Sequence, residues 1–364
     1  MTYLDANAAE PLRPAARAAL LAALERVGNP SSVHAAGRAA RRLLEEARES
    51  LAAGFGARPA DLVFTSGGTE ADALALHAFA PGRRVIIGAT EHDAIRAAVP
   101  DAEILPVDRS GVADLAALQS MLEAGLEARR PAFVALMLAN NETGVLHPIA
   151  EAARICRRFG ALLHVDAVQA AGRVPVDLRA LGAASLALSS HKLGGPTGAG
   201  ALLLAPEAAP HFRPLIEGGG QERGRRGGTP SVAAIVGFAA AARDARPALK
   251  PLRDEAERAA CAAGAIVLGA GAPRLDNTTS LALPSVKAET QVIALDLAGV
   301  AVSAGAACSS GKVAESHVLE AMGAGALAGQ AIRVSLPWNA TIADVRHFAS
   351  AYAEMAARLL RLAA

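Results

Sequence analysis

Cysteine is scarce in this sequence. Three occur in 364 residues, Cys156, Cys261 and Cys308, with no CxxC pair. That excludes a disulfide framework and a cysteine-rich zinc site, and it fits a reducing, cytoplasmic setting. Aromatic residues are also few, at 3%, which argues against a platform for stacking nucleic-acid bases. Neither sign of charge dominates: Lys plus Arg number 36 and Asp plus Glu 35, a net of +1. Gripping nucleic acid or a membrane surface needs a basic excess, so neither is expected as a direct partner. The longest apolar run, 232–242, is about half of the roughly 20 residues a membrane-spanning helix needs. The start, Met1-Thr2-Tyr3-Leu4-Asp5, shows no basic region leading into an apolar core, so no signal peptide is expected.

What is present is a well-filled globular composition. Apolar residues are 52% and charged residues 20%, which excludes a disordered chain. The length suits two domains better than one. Short apolar runs at 62–65, 84–88, 132–138, 161–165, 185–189 and 199–204 read as strands. Amphipathic stretches such as 71–79, 114–124 and 149–158 lie between them. This alternation predicts an α/β fold whose main sheet is largely parallel, with helices on both faces. In such sheets ligands bind beyond the carboxyl ends of the strands. The glycine-rich, basic stretch 216–231 breaks the pattern and reads as a loop, followed by a helix over 232–242. Pro247 and Pro251 mark a boundary. Beyond them a smaller unit is expected: helix 252–263, strands 265–269 and 279–283, helix 290–298, a loop around Cys308, strand 332–336 and helix 342–362.

Several residues in this order could carry chemistry. Ser189-Ser190-His191-Lys192 directly follows a strand, so Lys192 is either a Schiff-base lysine or an ordinary solvated one. Asp166 ends the strand of Leu163-His164-Val165. It is either a buried partner for a cation such as the pyridinium of pyridoxal phosphate or the cap of a following helix. Thr65-Ser66-Gly67-Gly68-Thr69-Glu70 follows a strand and opens a helix, a geometry that attracts an anion or simply caps the helix. It is neither a Walker loop nor a dinucleotide fingerprint. His92, after Glu91, could stack on a flat cofactor and move protons, or be structural. Ser303–Gly311 contains nothing bulky around Cys308, and Lys312 is near, as suits a reactive thiol. Cys156 and Cys261 sit in apolar helical patterns and read as small buried hydrophobes. Arg333 inside a strand wants a carboxylate, from the protein or from a substrate.

In their order along the chain, these segments resemble the cysteine desulfurases of the class V aminotransferase group. The resemblance spans nearly the whole sequence. It is carried by Tyr3-Leu4-Asp5 with Asn7, Gly28-Asn29-Pro30-Ser31-Ser32 with His34, Thr65–Glu70, Glu91-His92 and Asn140-Asn141-Glu142. It continues in Asp166 with Gln169, Ser189–Lys192, Gly218–Thr229 and the Cys308 segment. Ser-Ser-Gly after Cys308 and the later Ser316-His317-Val318-Leu319 are similar to the subgroup serving nitrogenase and housekeeping iron–sulfur assembly.

The resemblance implies a pyridoxal-phosphate-dependent transferase of fold type I. It implies a large domain over 13–246 with a seven-stranded sheet, and a small α+β domain made of 1–12 and 247–364. Lys192 would carry the cofactor and Asp166 would pair with its ring nitrogen. Gln169 and Asn141 would lie near the ring hydroxyl, and His92 would stack on the ring and assist proton transfer. Gly68, Thr69, Ser189 and His191 would hold the phosphate. Thr229 would reach the phosphate of a neighbouring subunit, which implies a homodimer. Arg333, Asn141 and Asn29 would hold the substrate carboxylate. L-cysteine would become L-alanine, and Cys308 would keep the sulfur as a persulfide for an acceptor such as an iron–sulfur scaffold. No resident metal is implied, a transient iron–sulfur contact at Cys308 aside. A selenocysteine lyase, or another class V lyase or aminotransferase, is the nearest alternative, and a non-catalytic assembly scaffold the more distant one.

The sequence also departs from that family pattern. Ala9-Glu10-Pro11 replaces an early Thr-Thr-Pro, Glu70-Ala71-Asp72 replaces Glu-Ser-Asn, Gly227 replaces a serine, and Pro337-Trp338 follows the arginine strand where glycine is common.

Overall fold

The computed structural model describes residues 1–127, 130–244, 247–305 and 315–363. Seven strands form one sheet in the order Leu62–Thr65, Gly200–Leu204, Ser185–Ser189, Leu162–Asp166, Ala132–Met137, Arg84–Gly88, Glu103–Leu105. Gly200–Leu204 is antiparallel to both of its neighbours, and all other neighbours are parallel. The central strands are buried at nearly every residue, which is why they read as unbroken apolar runs. Their side chains alternate between two cores. Phe64, Ile86, Val134, Leu163 and Leu186 pack on one side, and Val63, Ile87, Phe133, Ala187 and Leu202 on the other, as the two-residue period of a strand requires. Helix Gly68–Phe79 contributes to the second core. Helices Ala35–Gly54, Ile149–Arg158 and Val232–Arg243 contribute to the first.

A second, antiparallel sheet has the order Ser303–Ala304, Ala331–Ser335, Thr278–Ala282, Ile266–Leu268. Helices Lys250–Ala262, Ala288–Leu297 and Ile342–Ala363 share its core, which also takes in Leu4. The N-terminal segment thus begins beside this sheet, where Thr2–Tyr3 pairs with Val300–Ala301. It then crosses to the large sheet, where Glu10 N donates to His191 O at 2.9 Å and Arg13 N to Gly194 O at 2.8 Å.

The expected strands are found with ends shifted by a residue or two, as at Ala132–Met137 and Leu162–Asp166. Edge strand Glu103–Leu105 was not expected from the sequence. It is three residues long and only Leu105 is buried, so no alternation develops. Helix Pro14–Leu24 is likewise hard to read in the sequence, because its alanines blur the contrast between faces. The reading of Cys261 as a core residue is corrected: it is exposed near the end of Lys250–Ala262, whereas Cys156 is buried. Alanines flank Cys261 on both sides, so local composition does not mark which face of the helix it lies on.

The basic loop is anchored from its buried side. Glu222, in the left-handed region at φ 49°, accepts from Arg48 Nη1 and Nη2 at 2.8 and 2.7 Å and from Phe64 N at 2.8 Å. This fully buried, bidentate pair holds the loop against helix Ala35–Gly54.

Candidate active site

The sheet's parallel strands end together at one edge, and a cavity of about 290 Å³ opens there. Asp166 ends one strand, Ser189 the next, and Met137 a third. All three line the cavity, as do His191 and Lys192 on the short turn after Ser189. Gly68 and Thr69 line it from the first turn of helix Gly68–Phe79. His92, Asn141, Gln169 and Arg333 also line the cavity. Ten expected residues therefore meet in one place.

The wall has two electrostatically different ends. At one, a helix N-terminus offers backbone N–H groups that have no partner within the helix, in the same wall as Ser189 and His191, a natural seat for an anion. Close packing requires glycine here. A Cβ on Gly68 would sit 2.7 Å from Val168 Cγ2, and one on Gly200 would sit 2.6 Å from the Gly67 carbonyl carbon. Burial pushes His191 down to about 4, with Lys192 adding to the shift, so its ring is neutral at physiological pH. At the other end lies Asp166. Its Oδ1 accepts from Val168 N at 2.8 Å, so it closes a turn instead of capping a helix. Burial, reinforced by nearby Asp72, pushes it up to about 7. A cation placed against Asp166 would reverse that penalty.

Lys192 Nζ donates to Asn7 O at 2.6 Å and Ala8 O at 3.0 Å, which holds the amine inside the cavity wall. His92 Nδ1 accepts from Ala94 N at 3.1 Å, so the neutral ring carries its proton on Nε2. Arg333 resolves the open question about its carboxylate. Its Nη2 meets Asp5 Oδ1 at 2.7 Å and its Nη1 donates to Asn141 O at 3.1 Å. Its buried Nε has no partner among the described residues, and the side chain still lines the cavity. The protein carboxylate aims this arginine and leaves it donor capacity for a ligand.

Three expected residues are not in this set. Asn29 is exposed, with Oδ1 accepting from Ser31 N at 2.9 Å. Thr229 lines a separate hollow with Ser66 and Arg226. Cys308 lies outside the described residues. The described residues on either side of its segment meet at Glu142: Ser316 Oγ donates to Glu142 Oε2 at 2.5 Å, and a Cβ on Gly305 would lie 2.6 Å from that same oxygen. Glu142 adjoins Asn141 of the cavity.

Two cavity residues were missed as site residues. Asn7 is a hub: its carbonyl also accepts from Gln169 Nε2 at 3.0 Å, and its amide donates to Asn141 O and Thr278 Oγ1, each at 3.0 Å. Asp72 is buried against His164, Oδ1 to Nε2 3.1 Å. Burial raises Asp72 to about 7 and lowers His164 to about 4. The departure at Ala71-Asp72 was the one signal for it.

Against this geometry stand the comparisons with known proteins. The aminotransferase class-V model matches residues 2–348. The chain belongs to the aminotransferase class-V family. A cysteine desulfurase of Cereibacter sphaeroides is 43% identical, covering 94% of this chain and 92% of that protein. An IscS-like cysteine desulfurase of Mycobacterium tuberculosis is 38% identical, covering 95% and 93%. Among solved structures, a NifS-like protein from Rickettsia africae superposes with a TM-score of 0.89 at 33% identity, covering 98% of this chain and 99% of that one. Class V aminotransferases of this kind depend on pyridoxal phosphate, and the cavity suits that group. It offers a glycine-lined helix N-terminus for a phosphate, a buried carboxyl for a ring cation, and a lysine in the same wall.

Proposed function

We propose that this protein is a cysteine desulfurase that converts L-cysteine to L-alanine and passes the sulfur, as a persulfide on Cys308, to an acceptor protein such as an iron–sulfur scaffold. The observation that carries this reading is the meeting of Lys192, Asp166 and Arg333 in one cavity, with the described flanks of the Cys308 segment joined at Glu142 beside it. Bound pyridoxal phosphate supplies an electron-withdrawing ring that stabilises negative charge at the substrate's α carbon.

The protein's own residues do the rest. Gly68, Thr69, Ser189 and His191 seat the phosphate, and Asp166 keeps the ring nitrogen protonated. Gln169 and Asn141 face the ring oxygen, and His92 covers the ring face with its Nε2–H available for proton transfer. Arg333, steadied by Asp5, grips the substrate carboxylate with Asn141. Lys192 anchors the cofactor and then takes the α proton at Nζ. The Cys308 thiolate attacks the substrate sulfur. A sulfur–sulfur bond forms, the carbon–sulfur bond breaks, and its electron pair stays with the three-carbon fragment, which leaves as alanine after protonation. Cys308 lies three residues from Gly305, a reach of at most about 11 Å.

Asn29 and Thr229 lie outside the cavity of one chain. Both fit a homodimer in which Thr229 completes the phosphate site of the other subunit. The proposed division is a large unit over 13–246 and a small one of 1–12 with 247–364, supported by the two separate hydrophobic cores. Among the described residues no helix is long and apolar enough to cross a membrane. The sparse cysteines support a cytoplasmic setting, and the balanced charge supports an enzyme without direct nucleic-acid contact.

Cys308→Ala tests the sulfur step. The variant should keep the cofactor's visible absorption and lose sulfide release from L-cysteine. Release at the wild-type rate with no added thiol would contradict the persulfide role.

A further inference from the structure

Two departures from the family pattern, distant in sequence, meet in space. Glu10 lies in the crossing N-terminal segment, and Trp338 follows the strand that carries Arg333. Trp338 N donates to Glu10 Oε1 at 2.5 Å, and Trp338 Nε1 donates to Pro11 O at 2.9 Å. The Arg13 guanidinium lies over the indole, 5.3 Å from the ring centroid. The other carboxylate oxygen of Glu10 meets Arg173 Nη2 at 3.2 Å, with both side chains almost fully buried.

Arg173 carries the connection to the cavity. Its Nη1 donates to Gln169 Oε1 and, at 2.9 Å, to Gln169 O. A guanidinium can only donate. The atom of the Gln169 amide facing it must therefore be the oxygen. The amide nitrogen is turned the other way, towards Asn7 O at 3.0 Å. That contact uses one of its two hydrogens, and Gln169 lines the cavity.

We propose that Glu10 is a positioning residue that, through Arg173, fixes the orientation of the Gln169 amide so that an N–H faces the cofactor's ring oxygen. This rests on the reading that Gln169 faces that oxygen. A donor there favours the deprotonated ring oxygen and lowers the pH at which the bound cofactor's absorption changes. Glu10 does this indirectly. Its carboxylate compensates the charge of Arg173 in a site where burial disfavours both ions. Without it, a buried guanidinium would be left to find another partner, and the amide would be free to turn over. The Trp338 contact extends the same latch to the strand of Arg333.

The test follows the pH titration of cofactor absorption in the loaded protein. The fluorescence of Trp338, the single tryptophan, is read in parallel on the cofactor-free protein as a reporter of the latch. Gln169→Leu should move the titration midpoint upward by about one unit. Glu10→Gln should move it in the same direction by a similar amount and change the Trp338 emission. The double variant should shift no further than Gln169→Leu alone, because both act through one amide. Arg173→Lys, which keeps the charge but not the fork, should reproduce the shift and stands in if Glu10→Gln does not fold. A wild-type midpoint in Glu10→Gln and Arg173→Lys, with the midpoint raised in Gln169→Leu, would overturn the role of Glu10 alone. An unmoved midpoint in Gln169→Leu itself would overturn the placement of Gln169 against the ring.

Discussion

Lys192→Ala is expected to lower alanine formation from L-cysteine by about three orders of magnitude or more, since in the proposed function Lys192 is both the anchor of the cofactor and the α-proton base. The geometry makes this a local loss. Nζ is held by Asn7 O and Ala8 O, both within 3.0 Å, and alanine would remove these contacts from the wall. The Asp166 end and the helix N-terminus would remain, so the variant should still bind pyridoxal phosphate non-covalently. Its absorption band should therefore move, and the cofactor should be lost on dialysis, where the wild type retains it. A small primary amine added to the assay should restore a fraction of the activity. A variant with the wild-type spectrum and rate would show that another group carries the cofactor.

Asp166→Asn should have the second-largest effect. Breaking a buried charge pair costs about 3–5 kcal/mol, which corresponds to a loss of about 10²- to 10⁴-fold in kcat/KM when the pair exists to stabilise the reacting state. The same change should act oppositely on the cofactor-free protein. Burial, with Asp72 adding to it, pushes the Asp166 carboxyl up to about 7. Between its ordinary range and that value the folded chain retains a proton that the unfolded chain releases. Stability therefore falls as pH rises through that window. Asparagine removes this contribution. The cofactor-free variant should lose less thermal stability than the wild type between about pH 4 and pH 7, and adding pyridoxal phosphate should stabilise the wild type more than the variant. Parallel Tm-against-pH curves for the two cofactor-free proteins would contradict the assignment of a raised value to Asp166.

Much of this site is legible in the amino-acid sequence. Asp166 and Ser189 end apolar strands, and such ends face the ligand edge of a parallel sheet. Gly68 and Thr69 can be placed at a helix start because a strand precedes them and Gly67-Gly68 makes the turn. Lys192 follows Ser189 by three residues. These positions are local, so the strand period and the order of motifs suffice. Asn7, Asp72 and the Glu10–Trp338 latch are different. Asn7 meets Thr278 across 271 positions, and Glu10 meets Trp338 across 328. No local pattern encodes such contacts. Arg333 is half legible: its need for a carboxylate can be read, but not that Asp5 supplies one. Cys261 misleads because a helix rich in alanine has little to mark its buried side. Asn29 and Thr229 carry the family motif, yet one chain does not bring them to the cavity, which makes the second subunit part of the functional proposal.

The most direct measurement uses the wild-type protein loaded with pyridoxal phosphate and incubated with L-cysteine without added thiol. Alanine is quantified, and the peptide containing Cys308 is analysed by mass spectrometry. The expected result is alanine in step with a gain of one sulfur on Cys308, absent from Cys156 and Cys261. Alanine accumulating over many turnovers while Cys308 stays unmodified, or no alanine at all, would contradict a desulfurase that carries its sulfur on this residue.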